Sequence, residues 1–258
     1  MTRNLTDQEI LILCADTAKT VTSAAFRTAL DIDNKASADL AIDPVTAADR
    51  DAEQAIRDVL SQNRPMDGIL GEEYGETREP SMRHWVIDPI DGTRAFVCGI
   101  PTWTTLIALN DGSKPVLGAI DQPYLGERYV GDGSSAHLNN KPIKTSDCAH
   151  LADARITTTD PGLFTESETQ RFNTIRQASA LCRYGLDGYG YALLAAGHID
   201  AVIESGLKPY DIQAHIPIIT GAGLNIIWQG GDAQMGGQVV AAATRELHAT
   251  LLPLLNEV

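Results

Sequence analysis

Apolar residues recur at helical spacing from the start of the chain, at Ile10, Leu11, Leu13, Cys14, Ala18, Val21 and Ala25. Thr6 and Glu9 precede them in the Thr-x-x-Glu form of a capping box. A first helix is therefore predicted from about Thr6 to Leu30. Residues 31–43 are polar and read as a loop or a short hairpin. Thr46 opens a second helix, with Ala47, Ala48, Ala52, Ala55, Ile56, Val59 and Leu60 on its apolar side. It should stop near Asn63, because Pro65 disfavours helix in the residue before it.

The period then changes. Gly68–Gly71, Trp85–Ile87, Thr104–Leu109, Val116–Ile120 and Arg128–Val130 are short apolar or β-branched runs punctuated by Gly, Pro, Asn and Asp, the pattern of strands. Asn139-Asn140-Lys141-Pro142 signals a turn. From about Ser146 the pattern alternates. Strands are expected at 155–158, 201–204, 225–228 and 239–243, and helices at 165–178, 188–196, 211–221 and 245–255. The expected organisation is an α+β part over residues 1–145 with a mainly antiparallel sheet, and an α/β part over 146–258. No repeat or low-complexity linker separates them, so the two should pack closely.

Charge narrows the function classes. The 258 residues carry 20 Lys and Arg against 34 Asp and Glu, a net −14 at pH 7. Such a surface repels phosphate backbones and anionic lipid, which argues against a nucleic-acid or membrane partner. The apolar runs fall short of the roughly 20 residues of a membrane span, and the N-terminus has no signal-peptide pattern. Cys14, Cys98, Cys148 and Cys182 are scattered without a CxxC pair, which suits a reducing cytoplasm.

Three acidic clusters stand out: Gly71-Glu72-Glu73 after a strand, Asp88-Pro89-Ile90-Asp91-Gly92-Thr93 at the end of another, and Tyr210-Asp211 before an apolar helix. Taken singly, Asp-Pro and Asp-Gly mark turns and an Asp before a helix is an N-cap. Carboxylates at strand ends can also converge at one sheet edge, where hard oxygen ligands suit Mg²⁺ together with a substrate phosphate. Asp88, Asp91 and the Ile90 carbonyl could then face one ion, and Gly92-Thr93 would aim backbone N–H groups at an anion.

Together, and with Asp43-Pro44-Val45-Thr46-Ala47-Ala48-Asp49 upstream and Gly221-Ala222-Gly223 downstream, these motifs resemble the inositol monophosphatase superfamily over roughly residues 30 to 231. Within it, Thr93-Arg94-Ala95-Phe96, Cys98-Gly99-Ile100-Pro101-Thr102-Trp103 and Gly206-Leu207-Lys208-Pro209-Tyr210-Asp211 are most like the histidinol-phosphate phosphatase group. The resemblance implies a layered α-β-α-β-α sandwich of the inositol monophosphatase and fructose-1,6-bisphosphatase type. It implies two or three Mg²⁺ ions, with Mn²⁺ as an alternative. Glu72, Asp88 and the Ile90 carbonyl would bind the first; Asp88, Asp91 and Asp211 would bind the second. Thr93 and Asp49 would orient or deprotonate the attacking water, and the N–H groups of Gly92 and Thr93 would hold phosphate.

Glu204 stands where relatives place a substrate-contacting acid; the alternative is an ordinary strand-end Glu. Asp91 is also expected to touch substrate. Lys35 would approach the water network or is a loop lysine, and Arg183 and Asp187 flank a loop that would reach the leaving group. Phe96 and Trp103 are expected in the core. The expected activity is hydrolysis of a small phosphorylated metabolite, histidinol phosphate, by a cytoplasmic homodimer. An inositol-phosphate or sugar-phosphate phosphatase is the first alternative, and a catalytically silent metal- or phosphate-binding regulator the second.

Overall fold

Two helices lead the chain in the computed structural model, which describes residues 4–34, 44–77, 83–223, 227–228 and 233–256. α1 (Asp7–Ala25) carries the capping box, with the Thr6 hydroxyl accepting from the Glu9 N–H and Glu9 accepting from the Thr6 N–H. It ends about five residues earlier than its period predicts. Phe26 turns extended and packs on Phe96 and Trp103, and Arg27 takes φ 63°, so tertiary burial of one aromatic overrides helix continuation. β1 (Ile32–Asn34) and β2 (Pro44–Thr46) pair antiparallel, the hairpin option for this region. Lys35 lies outside the described residues. α2 (Ala47–Asn63) follows, with Thr46 as its N-cap and Asp49 completing a capping box.

The next strands are β3 (Gly68–Gly71), β4 (Gly75–Glu76), β5 (His84–Asp91), β6 (Thr104–Asn110), β7 (Pro115–Gln122), β8 (Glu127–Gly131), β9 (Ala136–Leu138) and β10 (Lys141–Pro142). A short helix, α3 (Thr93–Val97), sits between β5 and β6. The eight strands form one sheet in the order β10-β9-β8-β7-β6-β5-β3-β4, antiparallel except where β3 runs parallel to β5. Asn139 and Asn140, both at positive φ, make the two-residue turn between β9 and β10.

The remaining elements are β11 (Arg155–Thr158), α4 (Glu166–Ala178), β12 (Leu181–Tyr184), α5 (Asp187–Ala195), β13 (Ala201–Leu207), α6 (Pro209–Ile212), α7 (His215–Gly221), β14 (Ile227–Trp228), β15 (Gly237–Ala242) and α8 (Arg245–Asn256). The second sheet has the order β12-β11-β13-β15-β14. It is mixed, with β11 parallel to both β12 and β13. The helix expected over 211–221 is two helices: Pro209 opens α6, and a fresh start at His215 puts Pro217 in a first turn, where its missing N–H costs nothing. No element is expected over 181–183; the structure places β12 there, an edge strand with mostly exposed side chains and therefore no apolar alternation.

Burial defines five layers, as expected. α1 and α2 pack Ile10, Leu11, Cys14, Ile56 and Leu60 on one face of the large sheet, against Trp85, Ile87, Ile107 and Leu109. Val86, Leu106 and Ile120 point to its other face and meet α5 and α7, which in turn cover Val202 and Val239 of the second sheet. The outer face of that sheet, Ile156, Ala201 and Val240, is closed by Phe172 of α4 and Leu247 and Leu251 of α8. The middle helical layer thus touches both sheets. Among the described residues, no helix is long and apolar enough to cross a membrane.

One buried carboxylate ties the start of the second sheet together. Asp200 accepts from the Arg155 backbone N–H at 2.8 Å, from its Nε at 2.8 Å and from the Ser146 hydroxyl. Burial pushes this carboxyl up, but the bonds from Arg155 and Ser146 outweigh it and hold the group below its ordinary value of 3.8. Its stabilising effect is therefore present above that value and is lost as pH falls through the lower folded-state value. We expect Asp200→Asn to cost roughly 2–3 kcal/mol in urea denaturation at neutral pH, and the gap from wild type to narrow in strong acid. An unchanged gap in acid would contradict the assignment.

Candidate active site

The geometry starts from a defect in strand pairing. Along β5, Asp88 lies opposite Leu106 and Asp91 opposite Thr104, so three residues of β5 span two of β6. In a regular strand residues three apart face opposite sides. The bulge at Pro89-Ile90 cancels that odd step and turns both carboxylates to the same face. Pro89 has no N–H to lose there, and its carbonyl accepts from the Thr105 hydroxyl at 2.8 Å.

Three further segments end at the same place. β3 is parallel to β5, so Glu72, one residue past its end, arrives at the same sheet edge; its N–H bonds to the Ile87 carbonyl at 3.1 Å. β13 of the second sheet brings Glu204. The chain then turns into α6, where Asp211 is the third helical residue, not the N-cap that its position alone suggests; its Oδ2 accepts from the Lys208 N–H at 2.7 Å. Oxygens of Asp88, Asp91 and Asp211 lie within 4.8 Å of one another. They line a cleft of about 250 Å³ with Glu72, Ile90, Gly92, Thr93, Asp187 and Glu204.

Packing like charges together is costly. Burial, and then the neighbouring Glu72, Asp91 and Asp211, push the Asp88 carboxyl well above its ordinary value. Asp91 is raised by burial and by Asp187 and Asp211, against the opposing bonds from the Gly188 N–H at 2.6 Å and the Thr104 hydroxyl at 3.1 Å. A set of hard carboxylate oxygens that destabilise one another when ionised is the donor set a divalent cation requires. The residues present therefore fit Mg²⁺.

Beside the carboxylates, the Thr93 hydroxyl lies 3.2 Å from Asp49 Oδ1 and 3.0 Å from the Ile90 carbonyl, both acceptors. The other oxygen of the fully buried Asp49 accepts from the Thr46 N–H and hydroxyl. Gly92, at φ 80°, makes the turn into α3. A side chain there would also run into Asp187, since an added Cβ would stand 3.0 Å from the Asp187 Cγ.

Two further acids, Asp187 and Glu204, line the cleft. Asp187 begins α5 at φ 47°, and burial pushes its carboxyl up to about 6 although Arg94 opposes the shift. Glu204 is buried, and burial pushes it up to about 8 against three hydrogen bonds: from the Thr159 N–H at 2.8 Å, the Thr159 hydroxyl at 3.0 Å and the Thr158 hydroxyl at 3.2 Å. It is no solvent-facing strand-end residue. Arg183 is not brought in: it lies exposed on the edge strand β12, outside the cleft lining. Phe96 and Trp103 are core residues, stacked edge to face behind the turn.

Several residues without a role assigned from the sequence also stand here. Arg94 and Lys208 bring positive charge to the cleft lining, and Tyr191 of α5 lines it as well. Tyr191 stands in an apolar helix and gives no local signal. Glu53 and Arg57 do: with Asp49 they recur every fourth residue along α2, one face of a helix, and all three are buried.

Comparison with known proteins agrees with this geometry. The model of the inositol monophosphatase family matches residues 6–258. The chain is 41% identical over 255 residues to the bifunctional phosphatase IMPL2, chloroplastic, of Arabidopsis thaliana, covering 94% of this chain and 72% of that protein. It is 33% identical to a histidinol-phosphatase of Chlorobaculum parvum, covering 83% of each. The solved structure of an inositol monophosphatase from Zymomonas mobilis superposes with a TM-score of 0.87 at 40% identity, over 97% of this chain and 98% of that one. The sandwich of layers, the order of the acidic motifs and a match that runs almost from end to end give one answer: the chain belongs to the inositol monophosphatase family.

Proposed function

We propose that this chain is a Mg²⁺-dependent phosphatase that hydrolyses histidinol phosphate to histidinol and phosphate. The family chemistry, removal of phosphate from a small phosphorylated substrate, follows from membership. The observation that carries the substrate is the pair of acids, Asp187 and Glu204, lining the cleft beyond the carboxylate cluster. Histidinol phosphate presents an ammonium and an imidazole where inositol phosphate has hydroxyls, and a buried carboxylate favours a cationic partner.

In this reading Glu72, Asp88 and the Ile90 carbonyl would hold one ion, and Asp88, Asp91 and Asp211 would hold another. Bound ions would lower the pKa of water and neutralise phosphate charge. The chain's own work is positional. The Asp49 carboxylate fixes the Thr93 hydroxyl, which orients the attacking water. Backbone N–H groups of Gly92 and Thr93 hold phosphate oxygens, supported by the positive charge of Arg94 and Lys208. Glu204, held by Thr158 and Thr159, meets the substrate ammonium with the remaining capacity of its carboxylate, and Asp187 faces the departing alcohol. A silent regulator would be expected to lack part of this set, yet Asp49, Glu72, Asp88, Asp91, Thr93 and Asp211 are all present. We place the enzyme in the cytoplasm as a homodimer.

A second reading has its own support: the Zymomonas mobilis relative at 40% identity is named an inositol monophosphatase. Phosphate release from histidinol phosphate, inositol phosphate and fructose bisphosphate, each with Mg²⁺, separates the two. We expect histidinol phosphate to lead in kcat/KM by at least about tenfold, equivalent to 1.4 kcal/mol. A lead for inositol phosphate would overturn the substrate and leave the phosphatase standing.

Two variants follow. Asp88→Asn should lower kcat by at least about a hundredfold, roughly 2.7 kcal/mol of barrier, because an amide cannot bridge two cations. Its melting temperature after chelation should be no lower than that of wild type, since the substitution relieves a buried like-charge contact. Retention of a tenth of the activity would contradict the bridging role. Glu204→Gln should raise KM for histidinol phosphate strongly, by roughly 2–5 kcal/mol in binding, and change hydrolysis of an aryl phosphate much less. Equal effects on both substrates would make Glu204 a purely structural residue.

A further inference from the structure

The turn that carries Glu72 is fastened from below by the second helix. Glu53 and Arg57 of α2 are buried, and they meet as an ion pair, Arg57 Nε to Glu53 Oε1 at 2.7 Å. Glu53 does more than balance the guanidinium. Its Oε2 accepts from the Glu73 N–H at 2.7 Å, and its Oε1 accepts from the Tyr74 N–H at 3.2 Å. Arg57 also donates to the Gly75 carbonyl at 2.5 Å. Three consecutive residues after Glu72 are thus held by one pair, while the Glu72 N–H itself is held by β5. Gly71 allows the approach: a Cβ there would stand 2.0 Å from Glu53 Oε1.

Stability alone does not account for this choice. A buried ion pair gains little over well-packed apolar side chains, because desolvation offsets the attraction. What apolar residues cannot supply is a pair of fixed acceptors for the N–H groups of an irregular turn. A lone Glu53 carboxylate would add negative charge beneath Glu72; Arg57 cancels it. Asp49, one helical turn before Glu53 on the same face, holds Thr93 in the same manner. One face of α2 therefore grips both loops on its side of the cleft.

We propose that Glu53, charge-balanced by Arg57, is a positioning residue that sets the Glu72 carboxylate for cation binding. This rests on the reading of Glu72 as a cation ligand. It assigns Glu53 no contact with ion or substrate.

The test uses the full-length chain stripped of metal, with Mg²⁺ as the probe and two readouts: calorimetric Mg²⁺ affinity, and the Mg²⁺ concentration giving half-maximal phosphate release. Glu53→Gln should weaken both by at least about tenfold, the usual cost of disturbing a group that orients a metal ligand, while kcat at saturating Mg²⁺ stays within about threefold of wild type. In a Glu72→Gln background, Glu53→Gln should add less than about twofold, because both act through one carboxylate. The double variant Glu53→Leu with Arg57→Met removes both charges without leaving one unpaired, so it should fold and show the same loss of Mg²⁺ affinity. If Glu72→Gln weakens Mg²⁺ binding and Glu53→Gln or the double variant does not, the positioning role is overturned and the reading of Glu72 stands. If Glu72→Gln itself leaves Mg²⁺ affinity unchanged, that reading falls and the proposal with it. Independent, additive losses from the two positions would also overturn it.

Discussion

Repulsion among the carboxylates of Asp88, Asp91 and Asp211 is the constraint around which the cleft is arranged. Two unit charges 4 Å apart repel by about 4 kcal/mol at an effective dielectric near 20, and these three oxygens are held within 4.8 Å of one another. A fold of ordinary stability would not keep such a cluster without return, since the whole margin is only about 5–15 kcal/mol. A divalent cation turns the same arrangement from a cost into a binding site. The architecture supplies the rigidity this needs. Asp88 and Asp91 sit on β5, deep in an eight-stranded sheet, and Asp211 follows β13 of the second sheet. The middle helices pack on both.

The neighbouring groups are fixed by the same economy of hydrogen bonds. Asp49 uses one oxygen to close the capping box of α2 and the other to hold Thr93. Glu204 is tied to Thr158 and Thr159 at the end of β11. Helix capping and strand-end pairing, which stabilise the fold locally, here also orient the side chains that face the cleft. That coupling ties side chains from distant segments to the same elements that stabilise the fold.

Much of this was legible in the sequence, for identifiable reasons. Strong 3.6-residue periodicity located both leading helices, and short apolar runs with turn punctuation located the central strands. The acidic motifs announced the cleft because their order and spacing match a family. The misses have equally definite causes. Phe26 leaves α1 to fill the aromatic cluster with Phe96 and Trp103, a tertiary demand that local propensity does not register. β12 is an exposed edge, so its strand character left no pattern, and Arg183, placed on it, stands away from the cleft. Proline placement, not apolar period, decided the break between α6 and α7. The bulge at Pro89-Ile90 could be suspected from its Pro but not its consequence, the return of Asp91 to the same face as Asp88. Lys35 lies outside the described residues.

The central claim is that the acidic cluster exists to hold cations. Thermal unfolding tests it most directly, with metal-stripped protein titrated with MgCl₂ at constant ionic strength and pH. A ligand that binds only the folded state stabilises it by about 2.7 kcal/mol at a hundred times its dissociation constant, and for a chain of this size that raises Tm by roughly 5–10 °C. A saturable rise of that order, abolished in Asp88→Asn, is the predicted result. A Tm that responds to MgCl₂ no more than to an equivalent concentration of NaCl would contradict it.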